Sequence, residues 1–266
     1  MPFRNPPDDL LPPEPDRPWT RPTARTPWRA APPSYEADNL AVWQRNMAFL
    51  AEERFRRAYR RGVETGPAYD FFGDGNPDPQ IEWRIHIACW AAQHAAKLPG
   101  DFVECGVNTG LASLAICDYI DFNATGKRFW LFDTFCGIPP EQIGPAEQAR
   151  NRAADNAWYP ECFDRVQASF ARYPGARLVR GKVPDTLASV TIDQVAYLHI
   201  DMNIAYPERA AIEHFWPKLV HGALVLLDDY GWLNYEEQKL TLDEFAAMQG
   251  TMIATLPTGQ GLMIKA

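Results

Sequence analysis

Cysteine is scarce in this 266-residue sequence, and its pattern argues against two classes of protein. The five cysteines are odd in number and scattered, and no pair has Cys-x-x-Cys spacing, so neither a disulfide framework nor a zinc site is expected. They are Cys89, Cys105, Cys117, Cys136 and Cys162. We therefore expect a protein of the reducing cytoplasm.

Long apolar runs and an excess of basic residues are lacking too. No stretch is apolar for the length that crosses a bilayer, and no apolar secretory segment is visible, so we expect no membrane partner. The net charge of −8 argues against a nucleic-acid partner, because such proteins usually carry a basic patch. The length fits one large α/β domain or two small ones.

The G-x-G-x-x-G fingerprint of dinucleotide-binding proteins is also missing, which argues against a nicotinamide-dependent oxidoreductase. The nearest motif has the spacing E-x-G-x-x-x-G, with Glu104, Gly106 and Gly110, at a predicted turn from strand to helix. Such a turn brings backbone N–H groups close to a nucleoside ligand without a pyrophosphate, such as S-adenosylmethionine. Glu104 would hold a cationic or hydroxyl-bearing part of it. The alternative is a turn that needs glycine only for packing.

Proline separates the beginning of the chain from the rest. Residues 1–33 hold eleven of the 24 prolines, and proline interrupts helices and sheets, so a disordered arm is predicted there. Residues 34–266 are predicted to form one domain that starts with a helical extension, residues 34–99. Within this extension the predicted elements are helices over residues 35–61 and 80–97 and a loop over residues 65–79.

Strand-like and helix-like segments alternate after residue 100. Strands are predicted over residues 101–105, 128–133, 176–180, 195–201 and 223–228, and helices over residues 110–119, 162–173, 208–219 and 240–249. Residues 251–256 and 262–265 are predicted to form a final hairpin. This alternation indicates βαβ units. We predict an α/β protein of Rossmann-like methyltransferase fold, with a mostly parallel seven-stranded sheet, a C-terminal antiparallel hairpin and N-terminal helices.

Several predicted strands end in acidic residues, at the edge of the sheet where open α/β proteins bind ligands. Asp133 ends the second strand, where its carboxylate could accept both ribose hydroxyls of a nucleoside; the alternative is an Asx turn or a helix cap. Asp201 ends the fourth strand, and Asp228 and Asp229 end the fifth. Three clustered carboxylates repel one another unless a cation lies among them, and Mg²⁺ suits oxygen ligands. The alternative is that Asp228 or Asp229 only caps a turn.

Four motifs in this order resemble the macrocin O-methyltransferase family of class I S-adenosylmethionine-dependent enzymes. They are Glu-Cys-Gly-Val-Asn-Thr-Gly, Leu-Phe-Asp-Thr-Phe-Cys-Gly-Ile-Pro, Leu-His-Ile-Asp and Val-Leu-Leu-Asp-Asp-Tyr-Gly. The resemblance covers roughly residues 81–266. It implies Mg²⁺-dependent methylation of a hydroxyl on a small-molecule or sugar acceptor, and often a homodimer.

The resemblance also implies a set of site residues. The cofactor set that we predict is Glu104, Gly106, Asn108, Thr109, Gly110, Ser113, Asp133 and Gly181. The predicted metal ligands are Asp201, Asp228 and Asp229, and Asp201 is the predicted base that receives the proton of the acceptor hydroxyl. His199 lies on the same strand face as Asp201 and is interpreted as a structural or, alternatively, a catalytic residue.

The sequence departs from the family pattern in two places. Met202-Asn203 stands where the family has Gly-Asp after the strand-end aspartate, and an amide cannot act as a general base. The ending Pro257-Thr258-Gly259-Gln260-Gly261-Leu262-Met263 replaces an aromatic-rich one. A non-catalytic binding protein with the same fold is therefore a second hypothesis. Aromatic residues predicted near the acceptor are Trp158 and Tyr159, as a lid, and Tyr230 and Trp232, as pocket walls or core.

Overall fold

The structure is a computed structural model that describes residues 32–65, 78–150 and 152–266. Most of the proline-rich arm predicted over residues 1–33 and most of the loop predicted over residues 65–79 lie outside these described residues. Within them, no helix is both long and apolar enough to span a membrane.

The described chain alternates strands and helices as the sequence predicts. Its strands are β1 Tyr35–Ala37, β2 Leu40–Val42, β3 Asp101–Cys105, β4 Phe129–Asp133, β5 Ala176–Arg180, β6 Val195–Ile200, β7 Leu219–Leu227, β8 Ala254–Thr255 and β9 Gly261–Ile264. Its helices are α1 Glu53–Val63, α2 Glu82–Ala95, α3 Leu111–Tyr119, α4 Phe122–Thr125, α5 Pro145–Ala149, α6 Phe163–Phe170, α7 Ala205–Phe215 and α8 Glu236–Met248.

The main sheet has seven strands in the order β5-β4-β3-β6-β7-β9-β8. Strands β3 to β7 pair in parallel, whereas β9 pairs antiparallel with both β7 and β8. The predicted fold, including the final hairpin, is confirmed. Since β3 and β6 are adjacent at the centre, the residues that follow them meet at one edge of the sheet.

Helices cover both faces of the sheet, so its central strands are buried on both sides. Neighbouring residues of β6 belong to different hydrophobic clusters: Tyr197 packs with Phe102 and Phe129, and Leu198 packs with Val103 and Phe132. All six residues of β6 are buried. This accounts for the continuous apolar strands in the sequence, because a parallel sheet with helices on both faces exposes neither side.

The helix predicted over residues 35–61 is wrong in its first half. Residues 35–42 form the antiparallel hairpin of β1 and β2, in which Tyr35 pairs with Val42. Its two-residue loop is Asp38-Asn39, and both residues have positive φ, 51° and 57°. Asp and Asn tolerate this left-handed conformation and favour such a tight turn. The local turn therefore overrides the helical spacing of the apolar residues, and the helix α1 begins only at Glu53.

The other predicted helices are confirmed with shifted ends. Helix α7 begins at Ala205 rather than at residue 208, because Pro207 lies in its first turn, where proline is tolerated. Helix α8 begins at Glu236 rather than at residue 240. Helix α2 begins close to the predicted start and carries Arg84 in its first turn, directed towards the carboxyl edge of the sheet.

Candidate active site

A cavity of about 460 Å³ lies at the carboxyl edge of the parallel strands. The glycine-containing turn after β3, the end of β4 and the acids after β6 and β7 all contribute to its wall. The predicted site residues that line it are Glu104, Gly106, Asn108, Thr109, Asp133, Gly181, Asp201, Asp228 and Asp229. The structure therefore brings most of the predicted cofactor residues and all three predicted metal ligands to one cavity.

Close approach of the backbone explains both glycines of the turn. Gly106 has φ +91°, and a Cβ there would collide with the backbone oxygen of Asp201. Gly110 has φ +90°, and a Cβ there would lie 2.7 Å from Cε2 of Phe170. The packing interpretation left open by the sequence thus accounts for Gly110. Gly106 lets the ends of β3 and β6 approach each other at the cavity wall.

Asp133 holds the glycine-containing turn in place. Its Oδ2 accepts hydrogen bonds from the backbone N–H groups of Val107, at 2.5 Å, and Asn108, at 2.8 Å. Its Oδ1 accepts the backbone N–H of Phe135 at 2.5 Å. Asn108 has φ 49°, which these hydrogen bonds help to maintain. The carboxylate faces the cavity and also organises the loop that a nucleoside would contact.

Gly181 completes this side of the cavity. Its N–H donates to the backbone oxygen of Asp133 at 2.8 Å, which fixes the loop after β5 beside the end of β4. Thr109 is buried, and its hydroxyl accepts a 3.2 Å hydrogen bond from the hydroxyl of Thr65. Thr65 follows α1, so the N-terminal extension contacts the predicted cofactor turn directly.

Glu104 is buried beneath the cavity wall and has partners on both carboxyl oxygens. Oε2 accepts a hydrogen bond from the hydroxyl of Ser113, and Oε1 lies 2.8 Å from Nδ1 of His199. Burial raises the pKa of Glu104 well above its usual range, with Asp133 adding to the effect, and burial lowers the pKa of His199 to about 4. The pair therefore avoids a buried net charge by sharing one proton. Through these contacts Glu104 and Ser113 stabilise the turn.

Backbone pairing brings two of the three predicted metal ligands together, Asp201 and Asp228, and Asp229 lies outside the group that they form with His199. The N–H of Asp201 donates to the oxygen of Cys105 at 2.8 Å, and the N–H of Asp228 donates to the oxygen of Ile200 at 2.9 Å. Ligand atoms of His199, Asp201 and Asp228 all lie within 4.8 Å of one another. Burial, followed by the charge of Asp229, raises the pKa of Asp201 to about 7. This spacing suits a small cation.

Asp229 and His199 each leave a buried polar atom without a hydrogen-bond partner in the described structure. The atoms are Oδ2 of Asp229 and Nε2 of His199, and the latter lies 3.7 Å from Oδ1 of Asp228. Burial raises the pKa of Asp229, although the positive charges of Arg84 and Arg152 oppose the shift. Buried polar atoms normally have partners, so Oδ2 of Asp229 fits a cation that would be held between the acids. Nε2 of His199 carries the ring hydrogen when Nδ1 accepts the proton of Glu104, and it then faces Asp228 as a donor.

Arg84 lies against the same acids. Its Nη2 forms an ion pair with Oδ2 of Asp228 and lies 3.9 Å from Oδ1 of Asp229. Its Nη1 lies 3.9 Å from Oδ1 of Asp38, in the turn between β1 and β2. On the opposite side of Asp228, Nε2 of Gln260 donates to Oδ1 at 2.8 Å. The protein thus supplies a cation and an amide donor to the carboxylate of Asp228.

Aromatic side chains wall the cavity beside the acids. The hydroxyls of Tyr159 and Tyr235 lie 3.4 Å and 3.3 Å from Oδ1 of Asn203. The guanidinium of Arg152 stacks 3.8 Å from the ring centre of Tyr235. Trp158 also lines the cavity. Trp158 and Tyr159 thus both line the cavity, and their role as a lid stays a prediction.

The two other predicted aromatic residues lie elsewhere. Tyr230 packs in a hydrophobic cluster, and its hydroxyl donates to Asp243, on α8. This confirms the alternative that Tyr230 is a core residue. Trp232 packs against Gly259, and its ring centre lies 5.6 Å from the guanidinium of Arg84.

Sequence reasoning missed Arg84, Asp38, Gln260 and Tyr235. Arg84 had a usable signal, because it lies three residues after Ile81 and four before Ala88, on the apolar side of a predicted helix. A cation on such a face usually has a buried partner. Asp38, Gln260 and Tyr235 belong to loops or loop ends, and no periodic pattern marks which loop reaches the cavity.

Comparisons with known proteins identify relatives of this chain. The sequence profile of the macrocin-O-methyltransferase (TylF) family matches residues 85–254. A rhamnosyl-tetracenomycin-C 4'-O-methyltransferase of Streptomyces olivaceus is 29% identical over 145 residues, which cover 51% of this chain and 55% of that protein. A demethyldecarbamoylnovobiocin O-methyltransferase of Streptomyces niveus is 28% identical over 143 residues, which cover 50% and 54%. The chain therefore spans about half the length of the curated relatives it matches.

Solved structures show the same fold over most of the chain. The O-methyltransferase NovP superposes with a TM-score of 0.68 at 19% identity, covering 80% of this chain and 98% of that one. The calicheamicin methyltransferase CalS11 superposes with a TM-score of 0.52 at 14% identity, covering 80% and 93%. The family profile spans well over half of the sequence and includes the acids after β6 and β7. The chain belongs to the macrocin-O-methyltransferase (TylF) family.

Proposed function

We propose that this protein transfers a methyl group from S-adenosylmethionine to a hydroxyl of a small molecule or sugar, with Mg²⁺ held by Asp201, Asp228 and Asp229. The observation that carries the proposal is the single cavity that both the glycine-containing turn and the acid cluster line. A methyl donor on the turn and an acceptor at the acids would then be neighbours, as an in-line displacement requires.

The proposed donor site is the half of the cavity formed by the ends of β3, β4 and β5. Its wall includes Gly106, Asn108, Thr109 and Gly181. The two glycines allow a nucleoside to lie close to the backbone. Asp133 faces the same space and is proposed to accept the ribose hydroxyls while it holds the turn. Three further residues are proposed to act through that turn, because they fix its backbone and the start of α3. They are Glu104, Gly110 and Ser113.

S-adenosylmethionine is a substrate in this proposal: its methyl is already activated by the sulfonium, and Mg²⁺ when bound would lower the pKa of the acceptor hydroxyl. The chain's task is to align the acceptor oxygen and to take its proton. Asp201 is the proposed base, because its carboxylate lines the cavity beside the other acids, where the acceptor hydroxyl would lie. An O–CH₃ bond forms, the S–CH₃ bond breaks, and the proton remains on the Asp201 carboxylate.

The acceptor is proposed to lie between the acids and the aromatic wall of Trp158, Tyr159 and Tyr235. Aromatic faces pack well against sugar rings and against planar natural products. The names of the relatives point the same way, since they include a rhamnosyl-tetracenomycin 4'-O-methyltransferase and a mycinamicin III 3''-O-methyltransferase of Micromonospora griseorubida. We propose a sugar-bearing small molecule as the acceptor class, a cytoplasmic location and a homodimer.

A non-catalytic binding protein of the same fold is the second candidate. Two observations favour it: Asn203 replaces an acid, and both oxygens of Asp228 already contact donors of the protein. Against it, Asp201 remains accessible to the cavity and has no protein cation as a direct ion-pair partner among the described residues.

Methyl transfer to a panel of acceptors tests the proposal. The protein is incubated with S-adenosylmethionine labelled in the methyl group, Mg²⁺ and sugar-bearing natural products, and labelled product is measured. Asp201→Asn is the matched variant, because it keeps the size of the side chain and removes the base. Label incorporation by the wild type and its loss in Asp201→Asn support the enzyme. Tight binding of S-adenosylmethionine without any transfer across the panel favours the binding protein.

A further inference from the structure

Asp228 is the member of the acid cluster whose carboxylate is already occupied. Oδ2 is paired with Nη2 of Arg84, and Oδ1 accepts the amide of Gln260 at 2.8 Å. The side chain of Asp228 is 6% exposed and that of Arg84 is 17% exposed, so water screens this pair weakly. A divalent ion bound by all three acids would share the Asp228 carboxylate with these donors and would lie close to the positive charge of Arg84.

Arg84 and Gln260 differ as obstacles to such an ion. A neutral amide can turn away at the cost of one hydrogen bond, whereas a guanidinium also repels the ion through its charge. Arg84 belongs to α2, and Asp38 belongs to the turn between β1 and β2, so both come from the N-terminal extension. Both also precede residues 85–254, the part of the chain that the family profile matches.

We propose, as a deepening of the proposed function, that Arg84 is an internal cation that competes with the divalent metal for Asp228, and that Asp38 is the alternative partner that receives Arg84 when metal binds. The acid cluster then has two arrangements. In one, Arg84 neutralises Asp228; in the other, the metal binds Asp228 and Arg84 pairs with Asp38.

Distances around Arg84 support the second position. Nη1 is already 3.9 Å from Oδ1 of Asp38, so Asp38 lies within ion-pair reach of Arg84. The Nε of Arg84 is buried and makes no hydrogen bond within the described structure, so the present position leaves the guanidinium incompletely satisfied. The side chain of Asp38 is 14% exposed and makes no closer contact with any other described cation, which leaves it available to Arg84.

Metal titration of four proteins tests the proposal. Mn²⁺ and Mg²⁺ are titrated calorimetrically, at about pH 8 so that the carboxylates are ionised, into chelator-treated wild type, Arg84→Gln, Asp38→Asn and the double variant. Arg177→Gln is the control, because it removes one positive charge from an exposed position on β5. Thermal unfolding shows that each variant is folded, and Arg84→Met replaces Arg84→Gln if that variant is not.

The expected result is a gain in metal affinity of about tenfold or more for Arg84→Gln, since a repelling charge leaves the site. Asp38→Asn should weaken binding about threefold or more, because Arg84 loses its alternative partner and stays on Asp228. In the double variant, Asp38→Asn should change the metal affinity much less than it does when Arg84 is present. Arg177→Gln should bind metal as the wild type does.

Two results would overturn the proposal. One is an unchanged or weakened metal affinity in Arg84→Gln. The other is a change in metal affinity on Asp38→Asn that is equal with and without Arg84, because Asp38 would then act on the metal only through its own charge. Titration of S-adenosylmethionine into the same proteins separates this failure from that of the proposed function. If S-adenosylmethionine binds and no variant binds metal, both the competition and the metal part of the proposed function fail, whereas methyl-donor binding stands.

Discussion

Oε1 of Glu104 lies 2.8 Å from Nδ1 of His199, and this contact joins β3 to β6 directly beneath the proposed site. Both side chains are 2% exposed. The contact links the two halves of the cavity, because Glu104 also binds Ser113 in the first turn of α3, directly after the cofactor turn, and His199 also lies next to Asp228. Glu104, which the sequence predicts as a cofactor contact, thus also links two strands, and its contact with a ligand stays a prediction.

Glu104→Gln should cost little stability, within about 1 kcal/mol, because burial favours the neutral form of Glu104 and an amide can donate to His199 and accept from Ser113. Glu104→Ala should cost about 2–4 kcal/mol, since it leaves two buried polar groups unpaired. Urea unfolding measures both. An equal loss in the two variants would show that Glu104 is ionised in the folded protein.

Asp133→Ala should weaken binding of S-adenosylhomocysteine about tenfold or more and leave metal affinity unchanged. The backbone N–H groups of Val107 and Asn108 lose their acceptor, so the turn loses its fixed shape as well as the proposed ribose contact. Calorimetry with the nucleoside and with Mn²⁺ measures the two affinities separately. Asp133→Asn is the control of equal size, and unchanged nucleoside affinity in Asp133→Ala would refute the role of Asp133.

Gly110→Ala should destabilise the protein by about 2 kcal/mol or more, because the new Cβ meets Phe170 and also takes a left-handed conformation. Gly126→Ala is the matched control: Gly126 has φ +69°, and its Cβ would meet nothing within 4 Å. The control should cost only about 1 kcal/mol, the strain of that conformation. Equal losses of the two variants in urea unfolding would contradict the packing role of Gly110.

The stability of the metal-free protein should depend on Asp201 and pH. Burial and Asp229 raise the pKa of Asp201 to about 7, so between pH about 4 and 7 the folded protein holds a proton that the unfolded chain has released. Raising the pH through this window therefore removes stability, by at most about 1.4 kcal/mol per pH unit. The Asp201→Asn variant has no carboxyl group at this position, so its stability lacks this contribution to the pH dependence.

The free energy of unfolding, measured in chelator at several pH values, checks this directly. Asp201→Asn should gain stability relative to wild type as pH rises through the window. A constant difference between the two proteins would show that the pKa of Asp201 is not raised.

Much of the site follows from sequence because strand ends in a parallel sheet meet at a fixed edge. Asp201 and Asp228 each follow a strand predicted from its apolar residues, and the order of β3, β6 and β7 then places them together. The hydrogen bonds of the strand-end amides complete that placement. No side-chain detail was needed to foresee an acid cluster.

Contacts from outside the sheet could not be predicted in the same way. Gln260 reaches Asp228 through the turn between β8 and β9, and Asp38 reaches Arg84 through a hairpin that apolar spacing had indicated as helix. Each depends on how a loop folds back onto the sheet edge, which short-range patterns do not encode. These loops also change the surroundings of the acid cluster, because Gln260 contacts Asp228 and Asp38 lies near Arg84.

Calorimetric titration of S-adenosylmethionine into the purified protein, with Mg²⁺ and again in chelator, tests whether the cavity binds a methyl donor. We expect saturable binding with micromolar affinity at one site per chain, and a weakening of about tenfold or more in Asp133→Ala. Absence of binding under both conditions would contradict a methyl-donor site in this cavity and, with it, the proposed methyl transfer.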